Sequence, residues 1–331
     1  MSNIKKNVAA LYTKTDKSCP TISQFGRNLN QLWLSGKLDP CLYRDDLLLT
    51  IQKNLLRKNK PNVLLTGVAG CGKTAVAEGL AAILTQRRLD HTRLCEAALK
   101  EHKQLLDRWS DAGGIDDSPE YVAPPAPPLY DCVVYDLSIN AMVGGTKYRG
   151  DFEERLENVI RECRTNPNII LFIDEFHCIL SAGACNENLT GAAQMLKPAL
   201  ARGDIRVIGA TTTEEKGRLL NDKAFARRFT ELEVPVLQGD TALNTARSIL
   251  KYYCAHHTVP TDILADEILE QLQFHLPDTV FPDNFINVVD ETLAGAVFDG
   301  ENTVSRTAFY KTLSRLTGRI IIDPDALSKA G

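Results

Sequence analysis

Eight residues, Gly67-Val68-Ala69-Gly70-Cys71-Gly72-Lys73-Thr74, carry the spacing GxxxxGK[ST]. Each part serves one chemistry. The glycines let the backbone curl so that successive N–H groups converge on phosphate oxygens. A helix starting at the end of the turn adds its positive N-terminal end. Lys73 then bridges the β- and γ-phosphates of a nucleoside triphosphate, and Thr74 holds a Mg²⁺ ion. Glycine-rich turns match this spacing by chance in some proteins, so context decides. Here "NVLLT" reads as a buried strand before the turn and "AVAEGLAAIL" as a helix after it, the setting a Walker A loop requires.

Downstream, the apolar run Ile169–Ile173 ends in Asp174-Glu175. Asp174 can orient the Mg²⁺ water shell, and Glu175 can polarise an attacking water as general base. Two carboxylates after an apolar strand are a weak signal alone. Paired with the phosphate loop they read as a Walker B segment, and Glu175 points to hydrolysis rather than nucleotide sensing. Thr212 closes the strand at 205–212; its hydroxyl can contact the γ-phosphate or the water, or it is an ordinary strand end. Arg227 and Arg228 in "AFARRF" either decorate a helix or reach into a neighbouring subunit's site, where guanidinium suits developing phosphate charge. Lys147-Tyr148-Arg149, in "GGTKYRGDFEERL", puts an aromatic on a glycine-flanked basic loop; from these residues alone, a locally packed tyrosine is the simpler reading.

The elements that must position these residues alternate. Short apolar strands at "NVLLT", "CVVYDL", "NIILFIDEF", "IRVIGATT" and "TELEVPVL" are separated by helical patterns. That alternation predicts an α/β fold, a parallel sheet with helices on both faces. Residues 1–20 are polar and without periodicity, and are expected to be a flexible tail. A helix is expected from Thr21, where Thr21 and Gln24 have capping-box form, with Phe25, Leu29, Leu32 and Trp33 on one face. A second helix is expected from Asp45 to Arg57. Residues 86–130 read as an insertion. Its first part is charged and helix-like; its Pro-rich Ala123–Pro128 run favours extended structure. It is either a mobile surface loop or a docking element for a further partner. After Pro235 the chain reads as helices only. The expected division is a tail over 1–20, a large nucleotide-binding domain over 21–238, and a small helical lid with a C-terminal tail over 239–331.

Composition narrows the function. Of 331 residues, 44% are apolar and 24% charged, and the net charge of −4 argues against a dedicated nucleic-acid binder. Nine cysteines without a CxxC pair fit free thiols in a reducing compartment better than a disulfide framework or a zinc site. His256-His257 reads as a surface pair, with no ligand at metal spacing. The start lacks an apolar targeting core, and the longest apolar run, Ile169–Ile173, is too short to span a bilayer. A cytoplasmic protein with no membrane partner is expected.

Taken in order, "FGRNLNQLWLSGKLDP", "GGTKYRGDFEERLENVI", "ILFIDEFHCIL", "AAQMLKPALARGDIRVIGATTTEE", "FARRF", "FPDNFINVVDE" and "LSRLTG" resemble the first ATPase module of the Clp unfoldases and disaggregases, of the AAA+ superfamily. The resemblance covers residues 24–320 apart from the insertion. It implies the AAA+ fold with a helical lid, a homo-oligomeric ring that is usually a hexamer, and ATP with Mg²⁺ at subunit interfaces. It places Thr212 at the sensor position and Arg227 and Arg228 at the arginine fingers. Tyr148, between Lys147 and Arg149, matches the loop that lines the central pore and grips a polypeptide. Phe152, Leu156, Val159, Ile160 and Cys163 anchor that loop's helix, and Ala182–Leu189 resembles a second pore loop. The chain departs from the family in several places. It shows no amino-terminal domain and no second phosphate loop, so a single-ring machine or one part of a larger one is expected. Nor does it show the loop that docks a partner peptidase. Tyr43 replaces a glycine in the stretch Cys41–Arg44 that normally covers the base, and Asn284 replaces a lysine. The segment between Thr212 and Arg227 is one residue short. The expected function is an ATP-hydrolysing ring motor that remodels, unfolds or threads proteins. The alternatives are a nucleotide-dependent assembly switch or scaffold in a phage, secretion or defence complex, and a DNA-acting loader, which the acidic balance disfavours.

Overall fold

In a computed structural model, residues 3–111, 118–144, 149–181 and 191–324 are described. The core is one six-stranded sheet of β1 (Gly26–Asn28), β2 (Asn62–Thr66), β3 (Val133–Leu137), β4 (Ile169–Ile173), β5 (Arg206–Thr211) and β6 (Phe229–Glu233), in the order β1-β3-β4-β5-β2-β6. β3, β4, β5 and β2 pair in parallel, and every residue of β2 and β4 is buried, which is why β4 is continuously apolar and β2 is apolar from Val63 to Leu65. Thr66 lies opposite Thr211, and Ile173 opposite Gly209. The C-terminal ends of β2, β5 and β4 therefore open at one edge of the sheet, where parallel α/β sheets gather their chemistry. β1 adds an antiparallel edge strand to the expected parallel sheet. It pairs antiparallel with β3, Gly26 opposite Leu137. Three residues of sequence Gly-Arg-Asn carry no alternation from which a strand can be read.

The chain's start also differs from expectation. Asn3–Ser18 form a helix, α1, rather than a flexible tail, because Val8 and Tyr12 are fully buried in the main apolar core. The Tyr12 hydroxyl donates to Thr85 Oγ1 at 3.3 Å. Thr85 in turn accepts from Asn30 Nδ2 at 2.8 Å, and Asn30 Oδ1 accepts from the Val134 N–H at 2.7 Å. A polar network with this many satisfied members inside a core fixes one arrangement. Tyr12→Ala is expected to cost about 3–5 kcal/mol of stability, the scale for a buried aromatic; chemical unfolding followed by fluorescence checks it.

The single helix expected from Thr21 is instead α2 (Pro20–Phe25), β1 and α3 (Leu29–Leu34). No capping box forms. The first N–H groups of α2, those of Thr21 and Ile22, donate to the carboxylate of Glu162, each at 2.9 Å. Gly26 then turns extended, and a Cβ there would stand 2.8 Å from the Ile22 carbonyl oxygen. Asn28 restarts the helix by accepting from the Gln31 N–H.

α4 (Asp45–Leu55) buries Leu48, Ile51 and Leu55 as its spacing predicts. α5 runs unbroken from Lys73 to Asp111, so the helix behind the phosphate loop continues through the first half of the insertion. The Pro-rich segment returns along it: the Tyr130 ring lies 4.6 Å from that of His91, and the Tyr121 ring 5.5 Å from that of His102. The half of the insertion expected to be irregular is thus packed on its own helix. α6 (Ile139–Val143), α7 (Arg149–Thr165), α8 (Cys178–Ser181), α9 (Gly191–Arg202), α10 (Lys216–Leu220) and α11 (Lys223–Ala226) complete this part of the chain. α12 (Gly239–His257), α13 (Ala265–His275), α14 (Asp283–Phe298) and α15 (Arg306–Thr317) follow, with Ile268, Leu272, Phe285, Leu293, Phe309 and Leu313 buried.

Contacts divide the chain into two compact units. One comprises Met1–Thr66 with Thr74–Leu232, the other Gly67–Lys73 with Glu233–Gly331. Eight cysteines are described, none of them in a disulfide; burial pushes the thiols of Cys41 and Cys132 up to about 11. Among the described residues no helix is long and apolar enough to cross a membrane.

Candidate nucleotide site

The phosphate loop leaves β2 after Thr66 and ends where α5 begins at Lys73. Gly70 and Gly72 have φ of 79° and 93°, in the left-handed region that side chains avoid. At Gly67 a Cβ would meet the Val234 carbonyl oxygen at 2.7 Å and Cys71 Sγ at 2.8 Å, so only glycine fits. Val68 and Ala69 form the exposed crest, and Cys71 is buried beneath it. Lys73 is 9% exposed, and its ammonium donates to the carbonyl oxygens of Gly67 and Val68, each at 2.9 Å. A buried cation held by the loop's own backbone sits where an anion delivered to the loop would meet it.

Thr74 Oγ1 donates to Asp174 Oδ2 at 3.0 Å. One hydroxyl and one carboxylate thus converge from α5 and the end of β4, and hard oxygen donors of this kind suit Mg²⁺. Glu175 is exposed and takes a φ of 47°. Its N–H donates to Asp174 Oδ1 at 2.9 Å, and its carbonyl accepts from Cys178 N at 2.7 Å. That conformation is costly for a residue with a side chain, and such strain concentrates at functional positions. The turn directs the two carboxyls to different tasks, Asp174 to Thr74 and Glu175 outward.

Thr212 stands one residue beyond β5. Its hydroxyl oxygen accepts from the Glu215 N–H at 3.2 Å, so it caps the turn into α10 and keeps its own proton to donate. Its neighbour Thr211 is buried, with Oγ1 3.0 Å from His177 Nδ1. His177 links the Walker B turn to the end of β5. Sequence reasoning missed it, because a histidine after an acidic pair has no spacing signal of its own.

Arg227 and Arg228 lie between α11 and β6, Arg227 exposed and Arg228 half-buried. Among the described residues neither guanidinium makes an ion pair or a hydrogen bond. The residues beside them are firmly held. Phe225 and Phe229 pack on Phe176, the residue after Glu175, with centroids 6.0 and 5.0 Å away. Lys197 of α9 pairs with Asp222 at 2.6 Å and lies over the Phe225 ring. Two arginines with no side-chain partner among the described residues are therefore presented beside a packed aromatic cluster.

Lys147 and Tyr148 lie outside the described residues, as does Ala182–Leu189; Arg149 is the first residue of α7. The frame around Tyr148 is described. Phe152, Leu156, Val159, Ile160 and Cys163 bury one face of α7, and Arg155 donates to the Met142 and Gly144 carbonyl oxygens at 2.7 and 3.1 Å. Tyr43 is 48% exposed with a φ of 55°, so its backbone has the left-handed form that a glycine takes easily.

The family model described as AAA, "ATPase family associated with various cellular activities", matches residues 63–235, from β2 through β6. The chain belongs to the AAA family of ATPases. Within it the similarity is to the Clp type. The chaperone protein ClpB of Helicobacter hepaticus (strain ATCC 51449 / 3B1) is 36% identical over 281 residues, 84% of this chain and 28% of that protein. The chloroplastic chaperone protein ClpC1 of Oryza sativa subsp. japonica is 35% identical over 277 residues, 82% of this chain and 26% of that one. The chain thus spans little more than a quarter of these relatives. Among solved structures, the closed state of Hsp104 with ATPγS and FITC casein superposes with a TM-score of 0.69 at 29% identity, covering 93% of this chain and 48% of that one. The S. cerevisiae Hsp104–ADP complex gives the same values. This AAA chain is accordingly an ATPase module of the Clp type.

Proposed function

We propose that this module hydrolyses ATP within a homo-oligomeric ring, a hexamer, and couples the cycle to remodelling, unfolding or threading of polypeptides through a central pore. For hydrolysis, the observation that carries the reading is the convergence of Thr74 on Asp174, next to an outward Glu175, where β4 and β2 end at one sheet edge. In this reading the backbone N–H groups of residues 67–74 and Lys73 hold the triphosphate. Thr74 and Asp174 would hold Mg²⁺, which when bound offsets the negative charge of the phosphates. Glu175 accepts a proton from the attacking water, and Thr212 orients that water or the γ-phosphate through its spare proton. Arg227 and Arg228 reach the phosphates of a neighbouring subunit. Residues 21–238 act as the nucleotide-binding domain and 239–331 as the lid.

The polypeptide substrate is supported by the likeness to ClpB, a chaperone, and to Hsp104, solved with casein. Tyr148, flanked by Lys147 and Arg149, supplies a grip that needs no particular sequence in its substrate. A further partner at the 86–130 arm fits the same reading, since Leu94, Leu99 and Val122 stand exposed there. A cytoplasmic setting rests on the thiol pattern. The test is the ATPase rate with and without unfolded casein. Tyr148→Ala is expected to keep basal hydrolysis while losing casein stimulation and unfolding. Unfolding by that variant at the wild-type rate would overturn the pore assignment.

A further inference from the structure

The turn after β4 holds Glu175 at a φ of 47°, and a side-chain-bearing residue stays in that form only where its surroundings fix it. The fixing groups come from β5. The Phe176 N–H donates to the Ala210 carbonyl oxygen at 2.8 Å. The Phe176 ring lies against Gly209, where a Cβ would stand 2.7 Å from its Cγ. One residue further along, the His177 ring meets the Thr211 hydroxyl, Nδ1 to Oγ1 at 3.0 Å. Gly209, Ala210 and Thr211 thus grip the two residues that follow Glu175.

The last of these contacts joins the two halves of the hydrolytic site. The β4–β5 ladder runs only as far as Ile173 opposite Gly209, short of both Glu175 and Thr212. Beyond it, His177 lies inside the turn that the Cys178 N–H closes on the Glu175 carbonyl oxygen at 2.7 Å. Thr211 is 1% exposed, lies opposite Thr66 at the end of β2, and immediately precedes Thr212. A hydrogen bond between His177 and Thr211 therefore fixes how far the Glu175 turn stands from the Thr212 strand end. It is also a bond that is costly to leave unmade, because the Thr211 hydroxyl is buried with it.

We propose that His177 is a positioning residue for hydrolysis: its bond to Thr211 keeps Glu175 and Thr212 at the separation that shared work on one attacking water requires. This rests on the ATPase reading above. The imidazole acts through Glu175 and is given no phosphate contact, so the proposal predicts an effect on turnover and none on binding. The effect is large because reacting groups tolerate little misplacement; a shift of about 1 Å costs on the order of 100-fold in rate. The atom used also predicts which side chain can substitute. Asparagine carries its amide atoms one bond beyond Cγ, as Nδ1 is, whereas glutamine carries them one bond further out.

The test is single-turnover ATP hydrolysis with nucleotide titration on the full chain. His177→Gln and Thr211→Val should each slow hydrolysis by about 10- to 100-fold, with ATP affinity within about twofold of wild type. His177→Asn should recover most of the rate. Combining His177→Gln with Thr211→Val should cost no more than either alone, since both remove one bond. Added to Glu175→Gln, His177→Gln should change the residual rate little, because the group it positions is already inert. General damage to the fold would instead slow that variant again and weaken ATP binding. Hydrolysis by His177→Gln within about twofold of wild type, no recovery with asparagine, additive losses in the combined variant, or lost ATP binding would each overturn the assignment and leave the ATPase reading intact. No hydrolysis by wild type would remove that reading and this inference with it.

Discussion

Replacing Glu175 by glutamine is expected to slow ATP hydrolysis by about 10²- to 10⁴-fold, the usual contribution of a general base, with ATP affinity nearly unchanged. The amide keeps the shape of the carboxylate and cannot take a proton. Ground-state contacts to the triphosphate come from the loop of residues 67–74, so binding should persist while turnover stops. The turn should also survive, since it is held by the Glu175 main chain, whose N–H donates to Asp174 Oδ1 and whose carbonyl accepts from Cys178 N. Single-turnover hydrolysis and nucleotide titration on the same preparation separate the two effects. The variant also discriminates between functions. A motor blocked at this step should hold its polypeptide substrate and stop, whereas a switch that responds only to bound ATP should keep working. Hydrolysis within a few-fold of wild type would remove Glu175 from the base role.

The parts of this site legible in the sequence are those whose chemistry demands fixed spacing. The phosphate loop needs glycines at left-handed φ and a lysine at its end, and Gly70, Gly72 and Lys73 stand where that demand puts them. Buried parallel strands need continuous apolar runs, so β2 and β4 were readable directly. What escaped depends on partners distant in sequence. α1 looked polar because two residues, Val8 and Tyr12, supply its buried anchor, too few for a periodic signal. The break between α2 and α3 depends on Glu162, about 140 positions away, and on pairing of Gly26 with β3. His177 and Thr211 meet only because β4 and β5 are neighbours.

Lys73→Ala is expected to weaken ATP binding by about 100-fold or more, since charge-assisted hydrogen bonds are worth about 1.5–3 kcal/mol each and this side chain is placed to make more than one. Its ammonium is almost fully buried and already satisfied by the Gly67 and Val68 carbonyl oxygens. The substitution therefore removes an internal tie of the loop as well as a phosphate contact. Part of the loss will come from a loop that must be ordered anew when nucleotide arrives. Lys73→Arg separates the two causes: it keeps the charge but not the compact ammonium geometry, so it should recover some affinity and little turnover. Thermal unfolding gives an independent readout. ATP at about 100 times its Kd should stabilise the wild-type protein by about 2.7 kcal/mol, and the alanine variant at the same concentration far less. If Lys73→Ala is stabilised by ATP as strongly as wild type, residues 67–74 are not the phosphate site, because no other role of that buried cation would leave nucleotide binding untouched.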